Sequence, residues 1–160
     1  MKKIVALILI ISVLFSFSAF GAKVDNTEIK STLLNGTTMV PLEDLAKLLE
    51  LEFWPSSENY SVSEKNDYPR MLVFNTEEPD KAYAQSYVKE KDGNLRLTDE
   101  LELSLPENIT RIDGKLYVPY RFVLEFYKAN VYWTEEDGAY AYRTSYGEPA
   151  LIRTNGDIRE

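Results

Sequence analysis

The sequence predicts an α+β fold, a twisted and mainly antiparallel sheet with two short helices, built from two related β-α-β halves. Two observations support this prediction. The segment "GTTMVPLEDLAKLL" at residues 36–49 is repeated in outline by "GKLYVPYRFVLEFY" at residues 114–127. Runs of β-branched and aromatic residues, separated by Asn-Gly or Asp-Gly dipeptides, occupy much of the remaining chain, a pattern typical of hairpins.

The first 21 residues predict a secretory signal peptide. Lys2 and Lys3 precede an apolar run over residues 4–14 and the small-residue stretch "FSFSAFGA", which is the order of charge, apolar core and cleavage region that such signals have. An uncleaved anchor is the alternative, but the run is shorter than the ~20 residues that a membrane span needs. We expect a signal peptide at residues 1–21, one domain at 22–144 and a loosely ordered tail at 145–160, with no membrane span after cleavage.

The two repeated phrases share the order turn, strand, helix, strand. The aligned positions are Gly36 and Gly114, Val40 and Val118, and Pro41 and Pro119, and each phrase runs into a β-like stretch that ends on a Trp, Trp54 or Trp133. Proline has a helix-compatible φ and no N–H, so Pro41 and Pro119 are predicted at the first helical position.

Each predicted helix has one apolar face. Apolar residues recur at spacings of three and four, which favours a helix with one buried side. The residues on these faces are Leu42, Leu45, Leu48 and Leu49 in the first copy, and Phe122, Val123, Phe126 and Tyr127 in the second.

The segments between and after the phrases are predicted to be strands and loops. Strands are expected at residues 70–75, 81–90 and 138–144, with a hairpin turn at "KDGN", residues 91–94. Polar loops are expected at residues 55–68 and 77–80. The last 16 residues have two Gly and a Pro with little apolar periodicity, which predicts the loose tail.

Charge and composition limit the possible partners and chemistry. Removing Lys2 and Lys3 leaves 18 − 2 = 16 basic residues against 26 acidic ones, a net charge near −10. Nucleic acid and anionic membrane surfaces should therefore repel the exported chain. The chain has no His and no Cys, which excludes His- or Cys-ligated zinc sites, thiol nucleophiles and Ser-His-Asp triads.

The second phrase, "GKLYVPYRFVLEFYKANVYW" at residues 114–133, fits the pattern G-x-x-x-V-P-x-R-x-x-x-E followed by a stretch closing on Trp. This pattern resembles the copper amine oxidase N-terminal-like (stalk) domain of exported bacterial proteins, over about residues 33–144. The resemblance implies a twisted antiparallel sheet wrapped on a helix. The first copy departs from it, with Glu43 in place of Arg and Lys47 in place of the acid. Because His is absent, we expect no copper site. We also expect no cofactor, no other metal ion and no catalytic residue.

Arg121 is the motif residue that needs an explanation, because a cation in the first helical turn faces the positive end of the helix dipole. Its pair with Glu125 at i,i+4 contributes only a few tenths of a kcal/mol. We therefore predict a second carboxylate, or backbone carbonyls across the sheet, as partners of a structural Arg121. The alternative is that Arg121 anchors the carboxylate of a ligand.

Acidic clusters and aromatic pairs are the remaining candidates for a functional site. The clusters are Glu77, Glu78 and Asp80; Asp99, Glu100 and Glu102; and Glu135, Glu136 and Asp137. A hydrolase would need two such acids opposed across a cleft, and solvated loop charge is the simpler interpretation. Trp54 and Trp133 are expected in the core or at a sheet edge. The aromatic pairs expected to share a strand face and form a contact surface are Tyr83 with Tyr87, and Tyr140 with Tyr142.

The sequence thus predicts a non-enzymatic exported module of the cell surface or envelope, which acts in binding or as a structural spacer. Its partner would be an envelope protein or a wall polymer that the sequence does not identify. Two alternatives stay open, a small secreted hydrolase that uses carboxylates, and a carbohydrate or wall-polymer binding module that uses exposed tyrosines.

Overall fold

The structure, a computed structural model, describes residues 25–134, 138–143 and 150–157. These residues form twelve strands and two helices. In chain order these are β1 (Asp25–Leu34), β2 (Thr37–Pro41), α1 (Leu42–Leu48), β3 (Glu52–Pro55), β4 (Asn59–Ser63), β5 (Arg70–Asn75), β6 (Lys81–Lys89), β7 (Leu95–Ser104), β8 (Thr110–Ile112), β9 (Lys115–Pro119), α2 (Tyr120–Phe126), β10 (Asn130–Thr134), β11 (Gly138–Arg143) and β12 (Ala150–Asp157).

The strands form two sheets. One has seven strands in the order β10-β11-β12-β1-β2-β9-β8, and the other has five in the order β3-β4-β5-β6-β7. All pairs are antiparallel except β1 with β12. The α+β prediction is therefore confirmed, with two sheets where a single sheet was expected.

The hairpin turns follow from residues that tolerate positive φ. Asn35 and Gly36 have φ of 47° and 80°, and Asp113 and Gly114 have 51° and 79°. These values match the turn that joins two strands through two residues. The "KDGN" turn, with Gly93 at φ 87°, joins β6 to β7. All three turns occur where the sequence predicts them.

Both helices begin one residue later than predicted. Pro41 and Pro119 keep an extended ψ, 125° and 116°, and act as the residues that precede α1 and α2. Both prolines still belong to the β2–β9 pair, where Pro41 lies opposite Tyr117 and Pro119 opposite Met39. A proline at the end of a strand lacks only one main-chain donor, so the sheet tolerates it there.

One hydrophobic cluster joins both sheets and both helices. The predicted helix faces are buried at Leu42, Leu45, Leu49, Val123 and Tyr127, and half-buried at Leu48, Phe122 and Phe126. They pack with Val40 and Val118 from the seven-stranded sheet and with Val62, Leu72 and Phe74 from the five-stranded sheet. Each helix has only seven residues, too few for stability in isolation, so this packing is what holds it.

Three predictions about connecting segments are wrong in part. The expected loop at residues 55–68 contains β4, in which Tyr60 and Val62 alternate with serines. The acids Asp99, Glu100 and Glu102 lie on β7 and not in a loop. The expected loose tail at 145–160 contains β12, which pairs with both β1 and β11. Strand pairing uses main-chain groups, so a segment with little apolar periodicity can still join a sheet through them.

Candidate functional site

The outer face of the five-stranded sheet is the candidate site, and the strand register defines it. Trp54 lies opposite Ser61, Ser61 opposite Val73, Val73 opposite Tyr83 and Tyr83 opposite Glu102. Residues directly opposite each other in antiparallel strands point to the same side of a sheet. One row of side chains therefore crosses all five strands on one face. With about 4.8 Å between strands, Trp54 and Tyr83 are about 14 Å apart.

The neighbouring row shows that this face is the outer one. It contains Phe53, Val62, Leu72 and Ala84 in register, and Val62 and Leu72 are fully buried in the core. Since successive residues of a strand point to opposite sides, the row of Trp54 and Tyr83 points away from the core. Ser61 and Val73 between them are small, so the two aromatic side chains flank a shallow trough.

Trp54 is exposed over 57% of its surface. Of the two positions expected for it, the core or a sheet edge, the structure places Trp54 at an edge, because β3 is the first strand of its sheet. The reason is the alternation along β3, since Phe53 takes the inward position beside Tyr60, at 6.4 Å between ring centroids. Trp54 is left on the outer face.

Tyr83 and Tyr87 both lie on this outer face and are half-buried. Tyr83 donates a hydrogen bond of 2.7 Å from its hydroxyl to Glu78 Oε2, and Tyr87 donates one of 2.7 Å to Gln85 Oε1. The bond to Glu78 raises the pKa of Tyr83, and burial raises the pKa of Tyr87. Both hydroxyls are held in place, so the rings present fixed surfaces.

The second predicted aromatic pair lies on the other sheet. Tyr140 and Tyr142 are on β11, opposite Tyr132 and Asn130. The predicted exposure of Tyr140 and Tyr142, and the position of the Trp133 side chain, fall outside the part of the structure that describes side chains. The two predicted pairs therefore do not form one surface on a single sheet.

Arg70 is a structural centre that the sequence reasoning missed. Its Nη2 and Nε donate to the two carboxylate oxygens of Glu64 at 2.6 and 3.2 Å, and its Nη1 donates to the Phe126 carbonyl at 3.0 Å. The guanidinium also lies 5.3 Å from the centroid of the Phe126 ring. Such a paired and stacked guanidinium connects β5 to the end of α2. The only sequence signal is an Arg at the start of the apolar run "RMLVFN".

Burial raises the pKa of Glu64, but the side-chain and main-chain hydrogen bonds from Arg70, together with its charge, outweigh that effect and hold the pKa below its ordinary value. Glu64 is therefore an ionised partner of Arg70.

Arg121 does not have the partners that its predicted structural role requires. Its side chain is 62% exposed, and Glu125 Oε1 lies 3.9 Å from its Nε. Among the described residues there is no second carboxylate or carbonyl bonded to Arg121. The guanidinium thus lies at the surface, and which of its two predicted roles it has stays a prediction.

Within residues 25–134, 138–143 and 150–157, carboxylates do not converge in a way that suggests hydrolysis. A cleft of about 610 Å³ beside the end of α1 contains Glu50 and Glu64, but Glu64 is committed to Arg70. The other carboxyl groups with shifted pKa values are Glu78, lowered by its bond from Tyr83, and Asp92, lowered by bonds from Asn94. These shifts are opposite to the raised pKa of a general acid. The cluster Glu135, Glu136 and Asp137 lies outside the described residues.

Neither a metal-binding cluster nor a membrane-spanning helix is present in residues 25–134, 138–143 and 150–157. These residues contain no group of three or more carboxylates placed to hold a metal ion. None of their helices combines the length and apolar character that crossing a bilayer requires.

Comparison with known proteins identifies a family for this chain. Residues 19–141 match the family model described as the copper amine oxidase N-terminal domain. No curated protein and no solved structure matches the chain.

Proposed function

The chain belongs to the copper amine oxidase N-terminal domain family, and from this premise we propose that it is an exported binding module of the cell envelope. The N-terminal domain of copper amine oxidases is a non-catalytic domain. The proposal adds that this chain binds a wall polymer through the outer face of its five-stranded sheet. Export is supported by the signal-like sequence at residues 1–21.

The observation that carries the proposal is the exposed Trp54 in one row with Tyr83. Aromatic faces are large and flat and carry polar edges, so they stack on sugar rings. The trough over Ser61 and Val73 lies between two such rings. Gln85 and Glu100, which face each other in the next outer row, add amide and carboxylate groups that can bond to sugar hydroxyls.

The charge of this face selects among wall polymers. Glu52, Glu100 and Glu102 are exposed along it, and its cations Lys81 and Lys89 are paired with Glu102 at 3.3 Å and with Asp67 at 3.7 Å. An anionic polymer would be repelled by these carboxylates. A neutral glycan of the wall is the ligand that this combination of rings and charges favours.

Co-sedimentation of the exported protein with purified cell walls, at low and high salt, tests the proposal. We expect retention that survives high salt, because stacking does not depend on charge, and a loss of retention in Trp54→Ala and Tyr83→Ala. Tyr68→Ala is the matched control, because Tyr68 is 72% exposed but lies in the β4–β5 connection. Retention unchanged in all three variants would contradict the proposed surface, and no retention of the wild type would favour a spacer.

A further inference from the structure

β7 has a free edge. It is the last strand of the five-stranded sheet and pairs with β6 on one side, while no strand within the described ranges pairs with its other side. It is ten residues long, and every residue except Leu103 is exposed. Half of the main-chain N–H and C=O groups of such a strand point away from the sheet, which makes the edge a template for another strand.

The side chains of β7 divide its outer face into an apolar half and an acidic half. Leu95 and Leu97, 47% and 45% exposed, lie opposite Lys89 and Tyr87. Glu100 and Glu102 lie opposite Gln85 and Tyr83 on the same face. Between Leu97 and Asp99 the β6–β7 register shifts, and Thr98 is an extra residue on β7. Such a bulge changes the alternation of side chains along the strand. The apolar half and the acidic half therefore lie on the same face.

Charge indicates what pairs with this edge. A second copy of this chain could pair its own β7 with this edge in the antiparallel direction. If the two strands paired over most of their length, the acids of residues 99–102 in the two copies would lie opposite one another, which is unfavourable. Asp99 and Glu100 have no ion pair among the residues that the structure describes, and Glu102 has only Lys81. The edge therefore disfavours a second copy of this chain and favours a cationic segment.

We propose that β7 binds an extended, basic polypeptide segment as an added antiparallel strand. A regular strand such as β6 places residues at every second position opposite Glu102, Glu100, Leu97 and Leu95. The complementary segment therefore has two basic residues followed by two apolar residues, all at alternate positions. This site borders the glycan surface of the proposed function and shares Glu100 and Glu102 with it, but main-chain pairing along β7 does not require that the protein also binds a glycan.

A fluorescent nonapeptide, acetyl-TKTKTVTVT-amide, is the probe, and acetyl-TETETVTVT-amide is its charge-reversed control. Fluorescence anisotropy with the exported protein should show saturable binding of the lysine peptide and none of the glutamate peptide. The double variant Glu100→Gln, Glu102→Gln should weaken binding roughly ten-fold, as two cross-strand ion pairs are lost. Glu52→Gln with Glu58→Gln removes the same charge near the opposite edge and should leave binding unchanged.

Two further measurements separate strand addition from simple charge attraction. Two N-methylated peptides are compared, one methylated at the odd-numbered and one at the even-numbered main-chain nitrogens. Methylation of the nitrogens whose N–H groups face β7 should abolish binding, and methylation of the other set should leave binding unchanged. The reversed variant Glu100→Lys, Glu102→Lys should prefer the glutamate peptide. The proposal would be overturned if the lysine peptide did not bind, or if both N-methylated peptides lost binding equally. It would also be overturned if Glu52→Gln with Glu58→Gln weakened binding as much as Glu100→Gln with Glu102→Gln. Wall retention with Trp54→Ala is read independently, so failure of one proposal does not decide the other.

Discussion

The Arg70 guanidinium donates a hydrogen bond of 3.0 Å to the carbonyl oxygen of Phe126, the last residue of α2. The same guanidinium holds Glu64 through two of its nitrogens. Carbonyls in the last turn of a helix have no partner within the helix, so Arg70 supplies one from β5. The five-stranded sheet and α2 are thus connected by a polar contact.

Replacing Arg70 by Met should lower the free energy of unfolding by about 2 kcal/mol, because the charged hydrogen bonds to Glu64 and the Phe126 carbonyl are lost while the apolar stem is kept. Arg121→Met is the matched control. It removes one exposed, long ion pair and should cost less than about 0.5 kcal/mol. Urea unfolding of both variants measures the difference. A larger loss for Arg121 would restore its role as a structural residue.

The acid limb of the stability profile should report the pair of Glu64 with Arg70. Because the folded pKa of Glu64 lies below its unfolded value of 4.5, the ionised carboxylate stabilises the fold above pH 4.5, and this stabilisation is lost as the pH falls through the folded pKa. In Arg70→Met the hydrogen bonds and the charge of Arg70 are lost, and burial, which raises the Glu64 pKa, is then opposed only by the hydrogen bond from Asn66, so most of this stabilising contribution is removed. The difference in unfolding free energy between wild type and Arg70→Met should therefore shrink between pH 6 and pH 3. A constant difference over that interval would contradict the pairing.

The elements that the sequence predicted correctly depend on local chemistry. Turns at Asn35-Gly36 and Asp113-Gly114 need positive φ, and the two helices need one apolar face each, so a few neighbouring residues decide them. The same phrase also places Val40 opposite Val118 in the β2–β9 pair. Equivalent positions of the two copies thus meet in the core, although their origin as two related halves stays a prediction.

The features that were missed depend on distant residues. β3 and β10 follow equivalent helices, but β3 joins the five-stranded sheet and β10 the seven-stranded one. A local pattern does not contain that choice of partner strand. Trp54 is exposed because β3 is an edge strand, and Arg70 is recognisable only once α2 lies beside β5. The aromatic residues on the outer face of the five-stranded sheet were therefore only partly predicted, through Tyr83 and Tyr87.

Tyr127 should act as an alkaline limit to stability. It is buried, and its hydroxyl donates a hydrogen bond of 2.7 Å to the Val62 carbonyl. Burial raises its pKa well above the ordinary value of 10.0, so its protonated form stabilises the fold below pH 10 and this contribution is lost as the pH rises further. Tyr127→Phe should cost about 1 kcal/mol at neutral pH and reduce the alkaline loss. Chemical unfolding at pH 7 and pH 11 measures both the stability at neutral pH and its alkaline loss. Tyr68→Phe is the control at an exposed site and should change neither the stability nor the alkaline loss.

The ends of the two helices offer a stabilising substitution. Glu50 and Lys128 follow the last residues of α1 and α2 at equivalent positions of the two phrases, with φ of 55° and 62°. At the end of α1, the Leu51 N–H donates to the Ala46 carbonyl at 2.9 Å, and the Glu50 N–H donates to the Lys47 carbonyl at 3.2 Å. The end of α2 has the same two bonds, from Ala129 to Leu124 and from Lys128 to Glu125. This arrangement usually has Gly at the left-handed position.

Glu50→Gly and Lys128→Gly should therefore each raise the free energy of unfolding by about 0.5 to 1 kcal/mol, since Gly adopts positive φ without steric cost. The effects should add in the double variant, because the two sites lie in separate helices. Glu125→Gly is the control, an exposed position inside α2 where Gly should cost about 1 kcal/mol. Thermal and urea unfolding of the four variants measure these signs. Destabilisation by both capping substitutions would mean that the Glu50 and Lys128 side chains contribute more than the relief of their backbone strain.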